Sequence, residues 1–396
     1  MTAHISPPIS PAIDLTRRAE TAARVAAEYA EDVDGRARFP AEAFAALRSE
    51  QLMSIMVPSD LGGEDAAVSD VVDICYVLGR ACASTAMIFA MHQIMAAILV
   101  RHARHSAWHR RLLRRLASEQ LLLASSTTDG IGGGDLRASS CAVVTDGSRI
   151  DLMKNATVMS YGAEANVIVT TARRSPDASA GDQVLVALTK DDYRLERNVA
   201  WDALGMRGTC SAGFKLVAQG TTEQVLPEPY QAILARSMMP IAHLTWSGVW
   251  SGVAAGAVER ARRFLRTAAR RSGGQLPPGA AHLTRATATL RTLRGLVASE
   301  LSRFEAVAAN PEALEALDFQ AAMGLLKVSA SELAVATVMG ALQACGLAGY
   351  RNDGEFSLAR PLRDILSSTI MINNDRILAN AANAAMLAEV PARLRT

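Results

Sequence analysis

From Leu15 to about Leu122, apolar residues recur three or four positions apart, as in "LTRRAETAARVAAEYAEDV", "FPAEAFAALRSEQL", "SDVVDICYVLGRACAS", "TAMIFAMHQIMAAILVRHA" and "WHRRLLRRLAS". One face of a helix produces that spacing, so each segment is predicted helical. "PSDLGG" at 58–63 breaks the pattern with turn formers, and Ser69 is the expected N-cap of the helix after it. At Leu123 the texture changes. "SSTTDGIGGGDL" precedes short alternating or β-branched runs, "CAVVTDG", "RIDLMKNATVMSYG", "NVIVTTARR", "QVLVALTKD", "GFKLVAQG" and "EQVLPE", which read as strands of a β domain over 123–226. "SPDASAGDQ" at 175–183 reads as an exposed hairpin loop. Helical spacing resumes near Pro229 in a segment whose Gly248, Gly252, Ala255 and Gly256 permit close helix contact. After the break "SGGQLPPG", amphipathic stretches at 282–309 and 314–347 and a last helix from about Ser367 complete a helical region over 227–396. The proline-rich residues 1–14 are expected to be disordered.

Composition sharpens this to a fold class that is mainly α with a central β domain. Half of the residues are apolar but only 5% aromatic, which favours packed helices over a sandwich built on aromatic pairs. Lys and Arg total 41 against 39 acids, and a net charge of +2 offers no broad basic field for nucleic acid. The densest basic run, 101–115, alternates with apolar residues at helical spacing and reads as a solvated helix face. Cys75, Cys82, Cys141, Cys210 and Cys345 are odd in number and form no CxxC pair, so neither a disulfide framework nor a metal site is expected. With no apolar run of signal or membrane-span length, a cytoplasmic chain without membrane contact is the expectation.

The segments "ASSTTDGIGGGDLRA", "LGMRGTCSAGFKL", "LQACGLAGYRNDGEFSLARPLRD" and "NDRILAN" resemble, in order and spacing, the acyl-CoA dehydrogenase family of flavoproteins. The resemblance implies an N-terminal helical domain (15–122), a middle β-barrel-like domain (123–226) and a C-terminal four-helix bundle, with FAD between barrel and bundle. An isoalloxazine ring needs an apolar slot with a few donors aimed at its nitrogen and oxygen atoms.

In that resemblance "TDGIGGGD" takes the place of the family's "TEPxxGSD", with Thr128, Asp129 and Asp135 at its threonine, glutamate and aspartate. Ser126, Thr127 and Thr128 would then face the flavin's pyrimidine edge, while Gly134 replaces a serine that helps anchor the acyl carrier. "KNATVMSYG" is similar to the strand "KxWIT" and puts Ser160 at the threonine that bonds flavin N5, with Val158 at the tryptophan. "GMRGTCS" would bring Arg207, Thr209 and Ser211 to the flavin or to the domain interface. "LQACGLAGY" is similar to "QxxGGxGY" and implies that Gln343 and Gly346 contact the FAD adenosine of a neighbouring subunit, hence a homodimer or homotetramer. The family's Arg-x-Phe-Gly motif is missing from "RRSGGQLPPGAAHL".

In the family, Arg-Asp is followed about eight residues later by the glutamate that removes the substrate's α-proton while hydride leaves for flavin N5. Here Ile365 to Asn374 carries no charge, and Ser367 to Thr369 stand at the likeliest equivalents of the glutamate. The alternative family position falls on Ala242, followed by His243, and also lacks a carboxylate. His243 and His92 are therefore candidate bases, although a lone histidine in such an apolar setting is more often a packed, hydrogen-bonded core residue. Ser367 is a third candidate, and Thr369, Asn373 and Asn374 would be hydrogen-bonding groups beside the flavin.

The resemblance leaves three readings open. One is an FAD-dependent acyl-CoA or acyl-carrier-protein dehydrogenase or oxidase with a non-standard base, passing electrons to an electron-transfer flavoprotein or to oxygen. Another is a monooxygenase of the same fold using reduced FMN or FAD from a reductase, where Ser, Thr or His stabilise the oxygen adduct. A third is a flavin-binding subunit without catalysis.

Overall fold

Small residues on two long helices set the central packing of the computed structural model, which describes residues 11–128 and 136–387. The N-terminal helices are α1 (Pro11–Gly35), α2 (Ala41–Ser49), α3 (Val68–Ala81), α4 (Ala83–His102) and α5 (Ala107–Glu119). Residues 11–14, expected to be disordered, lie in α1. The expected cap Ser69 lies inside α3; the cap is Ala67, whose N–H donates to the Asp70 carboxylate at 2.8 Å. Local side-chain competition for the first-turn amides decided that boundary.

The β domain holds β1 (Leu123–Ser126), β2 (Val144–Asp146), β3 (Arg149–Met159), β4 (Val167–Arg173), β5 (Gln183–Thr189), β6 (Tyr193–Val199) and β7 (Ala212–Thr221). They form two sheets, β1-β4-β5 and β2-β3-β7-β6. β1 runs parallel to β4 and the other strand pairs among the described residues are antiparallel, with β4 and β5 joined across the expected hairpin loop. β6 escaped sequence detection because "YRLERNV" is mostly exposed and interrupts its apolar residues with Arg194, Glu196 and Arg197. "EQVLPE" is no strand; only Val225 bridges to Val186.

The C-terminal region comprises α6 (Tyr230–Ile233), α7 (Met239–Arg271), α8 (Ala280–Val307), α9 (Pro311–Glu315), α10 (Leu317–Cys345), α11 (Leu347–Tyr350), α12 (Ala359–Ile370) and α13 (Asn374–Leu387), with a π-turn at 234–238 leading into α7. α7, α8 and α10 pack on one another, and α12 and α13 close against α10. The expected final helix from Ser367 is in fact two: Ser367 belongs to α12, and α13 begins at Asn374.

Gly248, Gly252 and Gly256 bring α7 against α3, where a methyl group on Gly252 would sit 2.3 Å from the Tyr76 carbonyl oxygen. Close approach there needs residues without a Cβ. α4 and α10 are long and apolar enough to cross a membrane by length and composition, but α4 is enclosed by α3, α7 and β1. One buried apolar cluster runs from Leu15 to Ile365 through all three regions. The fold is therefore mainly α with a central β region, and its three regions share one core.

Candidate functional site

The end of β1 is held by a buried lysine. Period-two burial along β3 places Ile150, Leu152, Lys154 and Ala156 on the inward face. Lys154, 1% exposed, donates from Nζ to the Ser126 carbonyl (2.9 Å), the Thr171 carbonyl (2.9 Å) and Thr171 Oγ1 (2.7 Å). Thr170 Oγ1 also donates to the Ser126 carbonyl at 2.9 Å, and Thr171 Oγ1 reaches the Thr127 carbonyl at 3.3 Å. The main chain of Ser126 and Thr127 is thus fixed, yet Ser126 Oγ is buried and has no hydrogen-bond partner among the described residues. A buried polar atom left orphaned at a strand end suits a ligand that completes it. Thr127 and Thr128 are half-buried beside it. Asp129, Gly134 and Asp135 lie outside the described residues.

Three residues read separately from the sequence meet in one chain of hydroxyls. Ser160 Oγ lies 2.8 Å from Ser211 Oγ, which lies 2.7 Å from Thr209 Oγ1, and Thr209 Oγ1 donates to the Met206 carbonyl at 2.8 Å. A register shift between Ala156 and Met159 in the β3–β7 pairing delivers Ser160 to that position. The Thr209 carbonyl in turn accepts the Tyr161 N–H at 2.8 Å. Arg207 belongs to the domain interface instead: Nε donates to the Asp34 carbonyl at 2.8 Å and Nη1 to the Ala203 carbonyl at 3.1 Å.

The two histidines are braces rather than free bases. His92 Nδ1 accepts the Leu123 N–H at 3.0 Å, so Nε2 carries the proton and donates to the Met53 carbonyl at 2.6 Å. Both nitrogens are spent tying α4 to β1 and to the turn after α2. His243 donates from Nδ1 to the Met323 carbonyl at 2.8 Å, linking α7 to α10. Burial pushes each imidazole down to about 4, so both stay neutral near pH 7.

The uncharged segment that opens after Asp364 ends in a turn clamped from beneath. Ile372 has φ of 47°, an uncommon conformation for a β-branched residue. Lys327 on α10, 0% exposed, donates from Nζ to the Ile372 carbonyl at 2.8 Å and to Asn374 Oδ1 at 2.7 Å, and lies 5.8 Å from the Trp250 ring centroid. Asn374 Nδ2 donates to Ser331 Oγ at 3.1 Å. Burial lowers the Lys327 amine to about 8. Sequence reading missed Lys327 and Ser331; a lone lysine in the apolar run "AAMGLLKVSAS" was the available signal.

The remaining candidates do not join one cluster. Ser367 Oγ donates to the Asp364 carbonyl at 2.6 Å and Thr369 Oγ1 to the Leu366 carbonyl at 3.3 Å, both within α12. Asn373 Oδ1 caps α13 through the Asp375 N–H at 2.9 Å. Gln343 and Gly346 are exposed where α10 meets α11, Gly346 with φ of 54° and ψ of −135°, which glycine alone adopts readily. Asp364 itself is buried, and its Oδ1 accepts the Met206 N–H at 2.6 Å. Burial outweighs the neighbouring Arg360 and raises it to about 6. Among the described residues no group of three His, Cys, Asp or Glu could hold a metal ion.

Comparison with known proteins bears on this arrangement. The model for the acyl-CoA dehydrogenase N-terminal domain matches residues 15–120, and that for the acyl-CoA dehydrogenase C-terminal domain matches residues 234–387. The chain is 25% identical to cyclohex-1-ene-1-carbonyl-CoA dehydrogenase of Geobacter metallireducens, over 95% of this chain and 97% of that one. It is 28% identical to the amino sugar nitrososynthase DnmZ of Streptomyces peucetius, over 86% and 84%. Among solved structures, the FMN-bound TdsC of Paenibacillus sp. A11-2, described as a dibenzothiophene monooxygenase, superposes with a TM-score of 0.83 at 18% identity, covering 95% of this chain and 98% of that one. With both terminal domains matched and the β region folded between them, the chain belongs to the acyl-CoA dehydrogenase family and is a flavin-dependent oxidoreductase.

Proposed function

We propose that this enzyme is a monooxygenase that receives reduced flavin from a separate reductase and lets it react with oxygen, rather than an acyl-thioester dehydrogenase. The supporting observation is the uncharged wall: Ile365 to Asn374 and Ala242 carry no carboxylate, and His92 and His243 are buried, neutral and bonded to backbone carbonyls. Removing an α-proton needs a base poised within reach of the substrate. A monooxygenase needs neutral hydrogen-bonding groups instead, which Ser, Thr and Asn side chains supply.

Ser126, Thr127 and Thr128 at the end of β1 and the Ser160–Ser211–Thr209 chain would hold the ring. When bound, the flavin supplies the electrons and the oxygen chemistry. The missing Arg-x-Phe-Gly motif supports FMN, which has no adenosine to hold. Leu347 and Tyr350, 73% and 75% exposed beside Gly346, support self-association through that end of the bundle.

The test is spectroscopic. Protein loaded with FMN or FAD is mixed without oxygen with short- and long-chain acyl-CoA thioesters, and then, photoreduced, with oxygen and candidate acceptors. The expected results are no bleaching by any thioester and oxygen-dependent product formation only when reduced flavin is supplied. Thioester bleaching at a turnover-competent rate refutes the proposal, and failure to bind either flavin favours a catalytically silent subunit.

A further inference from the structure

Two arginines meet in a crevice where α3, α7 and α12 converge. Arg80 near the end of α3, Arg260 on α7, and Arg360 and Asp364 on α12 line it. Arg360 is 8% exposed, and among the described residues its one hydrogen bond runs from Nε to Glu31 Oε1 at 3.1 Å. A guanidinium carries five N–H donors, so both Nη groups of Arg360 are left for another acceptor. Arg260, half-buried, donates from Nη1 to the Ser357 carbonyl and has no bonded carboxylate among the described residues. Arg80 is exposed at the rim.

The charges on this wall do not balance. Three guanidiniums face two carboxylates, Asp364 in the lining and Glu31 at the edge. Both carboxylates are engaged elsewhere: Asp364 Oδ1 accepts the Met206 N–H at 2.6 Å, and the Glu31 side chain is 73% exposed to solvent. Burial, and then the neighbouring Arg360 charge, hold the Arg260 guanidinium below its ordinary value. A buried cation is stable where an opposite charge and enough acceptors complete its donors. α12 adds to the demand. Its N-cap Leu358 makes no side-chain bond to the first turn, and the first-turn residues Arg360 and Pro361 line the crevice, so the positive end of the helix opens there. The opening has room for about one water-sized body. That size excludes a phosphorylated metabolite and fits a monatomic anion.

We propose that this crevice is a halide site, in which one chloride ion bridges Arg260 on α7 and Arg360 on α12. The anion offsets the excess guanidinium charge and completes donors that no protein acceptor reaches. It also ties α12 to the bundle. Because α12 carries Asp364, whose bond to Met206 holds the loop before β7, occupancy stiffens the junction between the bundle and the β region. The site makes no use of the flavin reading and stands or falls apart from it.

The test uses bromide and chloride on the full chain. Crystals grown in sodium bromide are measured at the bromine absorption edge, and the expected result is an anomalous peak within hydrogen-bonding reach of the Arg260 and Arg360 guanidiniums. In solution, melting temperatures are read in sodium chloride and in sodium gluconate at matched ionic strength. General screening is the same in both salts, and the gluconate anion is too large for the crevice. Chloride that binds only the folded chain should raise the melting temperature above the gluconate curve, and progressively so with concentration. Arg260→Met and Arg360→Met should each remove most of that difference. A crevice without a bromide peak overturns the proposal. So does a chloride curve that coincides with gluconate, or a difference undiminished in both variants. If a variant fails to fold, the bromide peak and the salt comparison on the wild-type chain still decide.

Discussion

Asp364 and Met206 are 158 residues apart in the chain and 2.6 Å apart in the fold, carboxylate oxygen to backbone nitrogen. This bond joins α12 to the loop that carries Thr209 and Ser211. Asp364→Ala leaves the Met206 N–H buried and unpaired, a loss of about 1–3 kcal/mol. Asp364→Asn keeps an acceptor. The folded carboxyl lies near 6, above its ordinary 3.8, so the folded state binds the proton more tightly than the unfolded chain. The resulting stabilisation is fully present below pH 4 and is lost as pH rises through 6. Unfolding free energies from urea titrations between pH 4 and 7 should therefore fall for the wild type relative to Asp364→Asn, by up to about 3 kcal/mol.

Ser126→Ala separates ligand binding from folding. Its Oγ is buried without a hydrogen-bond partner among the described residues, so its removal should leave the melting temperature unchanged or slightly raised. Flavin affinity should nevertheless fall, by roughly three- to tenfold for one lost hydrogen bond. Calorimetry of the free protein and flavin titration of the same sample check both halves. A lower melting temperature with unchanged affinity would show that the hydroxyl serves the fold.

His92 and His243 should betray their structural role through pH. Each folded imidazole lies near 4, below its ordinary 6.5. A depressed base contributes stability that is present above pH 6.5 and is lost as pH falls toward 4. His92→Phe should flatten that acid limb but leave the Leu123 N–H and the Met53 carbonyl unpaired, at a cost of roughly 2–5 kcal/mol. Denaturant titrations at pH 5 and 7 read both effects.

Lys327 should behave in the same sense at alkaline pH. Burial lowers its amine to about 8 from 10.5, so the unfolded chain binds the extra proton between those values and folded stability rises with pH there. Wild type should gain on Lys327→Met between pH 8 and 10. At pH 7 the variant should show faster amide exchange confined to residues 371–376, because the strained Ile372 turn loses its clamp. Uniform acceleration including α8 would contradict that role.

Gly252→Ala should loosen the α3–α7 seam. Its new methyl would lie 2.3 Å from the Tyr76 carbonyl oxygen, and backbone must move. A loss of about 1–3 kcal/mol is expected, read as a lower urea midpoint with an unchanged denaturant slope.

The sequence by itself determined the helices, most strands and the order of the regions, because periodicity of burial is written into neighbouring residues: Ile150, Leu152, Lys154 and Ala156 alternate whatever they pack against. It also determined that the segment after Asp364 carries no charge. Ser126, Ser160, Thr209 and Ser211 were legible as candidates through their motifs. Tertiary structure decided what those side chains do. Whether His92 is a base or a brace depends on Met53 and Leu123, and what holds the Ile372 turn depends on Lys327, 45 residues earlier in the chain. Hydrogen-bond partners of buried polar atoms come from wherever the fold places an acceptor, and separation along the chain carries no record of that choice.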